Sequence, residues 1–185
     1  FITDLSSPYA DVEGKNGAVA IQMAIYDFGG KVLGMPIELL TADHQNKADI
    51  AASKAREWID TQGLTMLFGG TNSGTALASA KVAAEKKRVY INNGAASSAL
   101  TNDQCTPYTV HYAYDTVALA KGTGSAIVDG GGKSWYFLTA DYAFGHALEA
   151  DTTAVVKAKG GNVVGAVRHP LNASDFSSFL LQAQN

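Results

Sequence analysis

The sequence has little of several things that commonly carry chemistry. It holds one cysteine, Cys105, so no internal disulfide can form, and this leaves the compartment open because many exported bacterial proteins have none. Cys105 also lacks the sequence context of a catalytic thiol and reads as a half-buried packing residue. No apolar run approaches the ~20 residues of a membrane span. Lys and Arg form no stripe, their densest cluster being Lys86-Lys87-Arg88, and the formal net charge is -3, which argues against a nucleic-acid partner. His44, His111, His146 and His169 are scattered without metal-ligand spacing, so no metal is expected. No carboxylate pair has a spacing that demands acid–base work. Gly69 and Gly74 have the glycine spacing of a phosphate loop, but Thr75 and Ala76 stand where Lys and Ser or Thr are needed. Ser73 is no nucleophile elbow, because Thr71 occupies the place of the first glycine. No catalytic residue and no cofactor are therefore expected.

What the chain does have is hydrophobic content of 46%, 19 glycines and a regular alternation of short apolar runs with helical patterns. The 185 residues suffice for one domain, or one and a half small ones. Phe1–Asp4 reads as a strand, Lys15–Phe28 as a helix stopped by Gly29-Gly30, and Pro36–Ala42 as the second strand. Asn46 reads as the N-cap of a helix whose apolar face is Ile50, Ala51, Ala55, Trp58 and Ile59. Met66–Phe68 is a third strand, Thr75–Lys86 a helix, Val89–Ile91 a fourth strand before another helix, and Tyr108–Tyr112 a fifth strand. The pattern predicts an α/β fold, a doubly wound parallel sheet in the order 2-1-3-4-5. After Asp115 the rhythm restarts: helix Thr116–Val128, strand Ser134–Thr139, loop Asp141–Gly145, helix His146–Lys159, strand Asn162–Val167 and a helix over Asp175–Asn185. Residues 1–115 are expected to form an N-terminal α/β lobe and residues 116–185 an incomplete second α/β lobe. The chain begins inside an apparent strand and stops inside an apparent helix, so it is expected to be a piece of a longer protein, any signal peptide lying upstream. Its unpaired edge and helix faces are expected to invite association.

Two small-residue turns stand out. Gly69-Gly70-Thr71-Asn72-Ser73-Gly74 follows the third strand, and Asn93-Gly94-Ala95-Ala96-Ser97 follows the fourth. In right-handed βαβ units both turns lie on one edge of the sheet, outside the carboxyl ends of the strands, where open α/β sheets bind ligands. A helix start with exposed amides favours an anion by roughly 0.3–2 kcal/mol, and a carboxylate suits it as well as a phosphate. One such loop is equally explained as a cap, with Ser73 and Thr75 capping, and a chain reversal. Two in tandem point to a binding site.

At this point the residues resemble a family. The run FITDLSSPYADVEGKNGAVAIQMAIYDFGGKVLGMPIELLTAD, with FGGTNSGTALA, INNGAASSALT and FLTADYAFGHAL following in order and spacing, is similar to type I periplasmic solute-binding proteins, nearest to the branched-chain amino acid (Leu/Ile/Val) receptors of ABC importers. The resemblance covers the whole chain and about half of a family member. It implies two lobes that close on a ligand, an extracytoplasmic location, and delivery to an ABC transporter membrane permease. By position it implies that Ser73 holds a ligand carboxylate with its hydroxyl and amide, that Ala95 binds through its backbone, and that Ser97 stands where the family often has threonine. Asn72 and Gly74 flank Ser73 in the same turn and are carried with it. Tyr9 lies in the loop where the family places an aromatic, and Tyr142 and Phe144 match the second-lobe loop that covers the ligand. The acidic residue that binds an amino group would come after Asn185, which leaves amino acid and aromatic or other organic acid both open.

The leading expectation is thus a non-enzymatic binding protein for a small carboxylate, monomeric at full length. A ligand-sensing regulatory domain of the same fold is the alternative. A hydrolase on a doubly wound sheet ranks below both, for want of any nucleophile–base pair.

Overall fold

In the computed structural model, which describes residues 1–184, the expected alternation is realised with altered boundaries. β1 (Ile2–Thr3) leads to α1 (Gly14–Asp27), a hairpin of β2 (Lys31–Val32) and β3 (Met35–Pro36), and β4 (Ala42–Asp43). Then come α2 (Ala48–Thr61), β5 (Met66–Gly69), α3 (Ser73–Glu85), β6 (Val89–Asn92) and β7 (Thr109–His111). Strands β4-β1-β5-β6-β7 form one parallel sheet, the expected 2-1-3-4-5 order.

The second strand is shorter than the apolar pattern of Pro36–Ala42 implied. Pro36 closes the antiparallel hairpin, pairing with Lys31, and only Ala42–Asp43 joins the sheet, next to Ile2–Thr3. Asn46 is not a cap: it takes a left-handed backbone (φ 54°), and α2 starts after Lys47. The small residues of α3 (Ala76, Ser79, Ala80, Val82, Ala83) are buried, and α3 packs against α2, whose Ala51, Ala55, Trp58 and Ile59 are also buried. Ion pairs Lys86–Asp60 and Arg56–Glu85 cross between these helices at the surface, each contributing at most about 1 kcal/mol.

The chain divides into two units. One comprises Phe1–Gly94 with Thr106–Tyr112; the other comprises Ala95–Cys105 and the chain from Ala113 onward. The segment Ala95–Cys105 thus groups with the second unit and not with β6, which it follows. The helix expected there is a single turn of 3-10 helix, Ser98–Leu100. Cys105 is exposed, not half-buried.

In the second unit α4 (Thr116–Leu119), a π turn (Ala120–Gly124) and α5 (Ser125–Asp129) follow one another without a break. β8 (Ser134–Ala140) pairs in parallel with β9 (Asn162–His169), with an irregularity at Trp135/Tyr136. α6 (Ala143–Ala158) connects them, and α7 (Ser177–Gln182) follows. α7 is shorter than the helix expected over Asp175–Asn185, of which Asn185 lies outside the described residues. Val128 and Val156 are fully buried in this unit.

Candidate functional site

Because the five strands of the β4-β1-β5-β6-β7 sheet run parallel, the loops after β1, β4, β5 and β6 leave the same edge of it. Each is tied down by polar side chains. After β1, the Asp4 carboxylate accepts from Ser7 Oγ (2.6 Å), from the amides of Ser7 (2.9 Å), Tyr9 (2.9 Å) and Ser6 (3.3 Å), and from Asn46 Nδ2 (3.1 Å). Burial works to raise this carboxyl, but the bonds from Ser7, Tyr9 and Ser6 outweigh it and hold Asp4 below the usual carboxylate range. Half-buried Tyr9 is therefore carried on a loop wound around one carboxylate.

After β4, His44 is buried and its pKa is lowered, burial outweighing the pull of Asp4 and Asp43. The Asn46 amide donates to His44 Nδ1 (3.1 Å), which puts the ring proton on Nε2, 3.3 Å from Thr75 Oγ1. Thr75 Oγ1 in turn donates to the Asn72 carbonyl (2.9 Å). A neutral histidine thus links the β4 loop to the start of α3.

After β5, Gly69 (φ 136°) and Gly70 (φ 120°) turn the chain in a conformation that disfavours other residues, and a Cβ on Gly70 would collide with Asn92 Oδ1 and the Tyr90 hydroxyl. Asn72 is the N-cap of α3, its Oδ1 accepting from the amides of Gly74 (2.7 Å) and Thr75 (3.2 Å). Ser73 and Thr75 are not the caps; the cap comes from Asn72 because its extended backbone (φ -105°, ψ 127°) sets the side chain against the first amides of the helix. Ser73, the first residue of α3, is 1% exposed. Beside it the buried Thr71 Oγ1 has no hydrogen-bond partner.

After β6, Asn93 Nδ2 donates to Glu13 Oε1 (2.6 Å), while Thr3 Oγ1 donates to Glu13 Oε2 (2.7 Å). The Asn93 amide reaches the Gly69 carbonyl (3.3 Å), as does the Tyr90 hydroxyl (3.1 Å). Burial, reinforced by the charge of Glu13, pushes the Tyr90 phenol up, so it stays a neutral donor. Asn93 Oδ1 is a second buried polar atom without a partner. Of the residues singled out in the sequence, this unit brings Asn72, Ser73 and Gly74 together on one turn and places Tyr9 on a loop of the same edge. Asp4 and Glu13 were not singled out in the sequence, and His44, Thr71 and Asn93 were named there without a role in the site; an Asp at a strand end with two serines close behind it was the one available signal, for the Asp4 loop.

The second unit holds the rest. Ala95 and Ser97 are each 1% exposed on the turn that precedes the 3-10 helix, and Ser97 Oγ accepts from the Ala99 amide (3.4 Å). Tyr142 and Phe144 face one another with ring centroids 5.9 Å apart at 42°. Phe144 lies in the first turn of α6, not in a loop, because the helix begins at Ala143. Gly145, expected in the same loop, is instead a buried helical position so close to β8 that a Cβ would strike the Ala140 carbonyl. Among the described residues no group of His, Cys, Asp and Glu could hold a metal ion, and no helix is long and apolar enough to cross a membrane.

Comparison with known proteins agrees with this architecture. A periplasmic binding protein from Burkholderia mallei is 72% identical and superposes with a TM-score of 0.96 over 100% of this chain and 49% of that one. A solute-binding protein of an ABC transporter from Rhodopseudomonas palustris BisB5, in complex with 3,4-dihydroxybenzoic acid, is 28% identical with a TM-score of 0.84 over 99% of this chain and 50% of its own. Among curated proteins, Leu/Ile/Val-binding protein homolog 6 of Brucella abortus (strain 2308) is 29% identical over 182 residues, 97% of this chain and 45% of the relative. The chain spans about half the length of the relatives it matches. The fold is that of the type I periplasmic binding proteins, half of whose length it covers. With the family profile for the periplasmic binding proteins matching residues 1–185, the chain belongs to that family.

Proposed function

We propose that the protein of which this chain is part captures a small carboxylate with a hydrophobic body and delivers it, without chemistry, to an ABC transporter permease outside the cytoplasm. Its two lobes would comprise residues 1–115 and the chain from residue 116 onward, and it would act as a monomer. Ser73 offers the carboxylate its hydroxyl and amide at the start of α3; Ala95 and Ser97 serve it from the next turn. Tyr9, Tyr142 and Phe144 supply an apolar wall, with Asn72 and Gly74 shaping the Ser73 turn.

The observation that carries this reading is the buried, unpartnered Thr71 hydroxyl beside buried Ser73 at an Asn72-capped helix start. Buried polar groups are normally paired, so an unpaired donor at the positive end of a helix favours an acceptor with negative charge. The tilted Tyr142–Phe144 pair fits a flat or branched apolar body. Two relatives point to the ligand class: one is named for Leu/Ile/Val, the other holds 3,4-dihydroxybenzoic acid.

Titration calorimetry on the full-length protein tests the proposal with L-leucine, 3,4-dihydroxybenzoate and the neutral amide of each. The carboxylates should bind and the amides should not. Ser73→Ala should cost about 1.5–3 kcal/mol, one hydrogen bond to a charged group. Equal affinity for acid and amide, or an unchanged affinity in Ser73→Ala, removes the anion site.

A further inference from the structure

The turn that carries Ala95 and Ser97 is clamped from inside its own unit. Thr116 grips it at two points: its amide donates to the Ala96 carbonyl (2.8 Å), and its hydroxyl oxygen accepts from the Ser98 amide (3.0 Å). These two contacts flank Ser97. The Thr116 hydroxyl then donates to Asp151 Oδ2 (2.6 Å), and the Ser98 hydroxyl donates to the same oxygen (2.9 Å). Thr116 is fully buried and Ser98 nearly so.

Asp151 lies on α6, seven residues beyond Phe144. Seven residues are close to two helical turns, so Phe144 and Asp151 share one face of α6, about 10 Å apart along its axis. A carboxylate on a packed helix face is costly to desolvate, and an apolar residue of similar volume often serves stability as well or better. Here the carboxylate instead fixes the hydroxyl rotors of Thr116 and Ser98, and through Thr116 the backbone of the turn.

We propose that Asp151 is a positioning residue for ligand binding: acting through Thr116 and Ser98, it holds the Ala95–Ser97 turn in register with the Tyr142–Phe144 pair carried by the same helix. This rests on the carboxylate-binding reading given above. Neither Asp151 nor Thr116 touches the ligand; each sets where the groups that do so stand. The sharpness of the site then depends on a supporting shell, as it does wherever binding groups must be held in place.

The test uses the full-length protein with Thr116→Val, Thr116→Ser, Asp151→Ala and Asp151→Asn. Thr116→Val keeps shape and the bond to Ala96 but removes the hydroxyl; Thr116→Ser restores it. Asp151→Asn keeps one oxygen that can accept both hydroxyls; Asp151→Ala keeps none. Affinity for L-leucine and 3,4-dihydroxybenzoate is read by calorimetry, and exchange of the Ser98 amide by hydrogen–deuterium exchange without ligand. Thr116→Val and Asp151→Ala should weaken the bound probe about ten-fold, the worth of one hydrogen bond, and Thr116→Ser and Asp151→Asn should stay within about three-fold of wild type. The Ser98 amide should exchange faster in Thr116→Val and as in wild type in Thr116→Ser. Wild-type affinity in folded Thr116→Val, or a melting temperature that falls with no change in affinity, overturns the proposal; if Asp151→Ala does not fold, the Thr116 pair decides alone. If the wild-type protein binds neither probe, the carboxylate reading falls, and Ser98 exchange still decides whether the clamp holds the turn.

Discussion

Asn72 offers a substitution whose effects on stability and on binding should have opposite signs. Its Oδ1 accepts from the Gly74 and Thr75 amides at 2.7 and 3.2 Å, and a carboxylate of the same shape accepts both in Asn72→Asp. The new charge sits at the positive end of α3 and should stabilise it by about 0.3–1 kcal/mol. The same charge repels an incoming anion at Ser73. For two charges taken as about 7 Å apart and an effective dielectric of roughly 20–40, the repulsion is about 1–2 kcal/mol, or roughly 5- to 30-fold in affinity for a carboxylate. The neutral amide of the same ligand should feel no such penalty. Asn72→Ala should behave differently: it removes the cap and leaves two amides unpaired in a residue environment only 4% exposed, costing about 2–3 kcal/mol of stability together with affinity. Urea denaturation and calorimetry on the full-length protein separate the two effects. An Asn72→Asp protein that binds carboxylates as tightly as wild type, or that is markedly less stable, would refute the assignment of an anion site to this helix start.

Asp4→Asn should cost about 2–4 kcal/mol at neutral pH, since the amide cannot accept all the bonds that converge on Oδ1 and Oδ2. The folded-state pKa of Asp4 is depressed, so its stabilisation is present above the unfolded carboxylate value and lost as pH falls through the folded value; the gap between mutant and wild type in urea should close in acid. His44 also has a depressed folded pKa, so stability should decline as pH falls below the ordinary histidine value of 6.5, and this part of the slope should vanish in His44→Gln. Gly145→Ala should push α6 away from β8 at the Ala140 carbonyl, lowering stability by about 1–3 kcal/mol and weakening binding through displacement of Phe144, as melting and titration would show.

The alternation of apolar runs and helical faces pointed to a parallel sheet in the 2-1-3-4-5 order, which the five strands β4-β1-β5-β6-β7 take, but not to the β2–β3 hairpin beside it. Alternation of this kind reports burial directly, and right-handed crossovers leave few arrangements open. That Ser73, Ala95 and Ser97 lie in short turns or at a helix start was legible because small residues after strand ends mark such places, whereas Phe144 was expected in a loop and lies in the first turn of α6. Three things were decided only by the tertiary structure. Only Ala42–Asp43 of the expected second strand joined the sheet, because its partner is Ile2–Thr3 at the start of the chain, while Pro36 pairs locally with Lys31. Asn46 gave up its apparent cap for a left-handed turn in which its side chain serves Asp4, 42 residues earlier. The polar pairs inside each unit (Glu13 with Asn93 and His44 with Thr75 in the first, Asp151 with Thr116 in the second) join residues 31 to 80 positions apart. A hydrogen bond between such residues leaves no periodicity in the sequence, because only the packing of the elements brings donor and acceptor within 3 Å or so of one another.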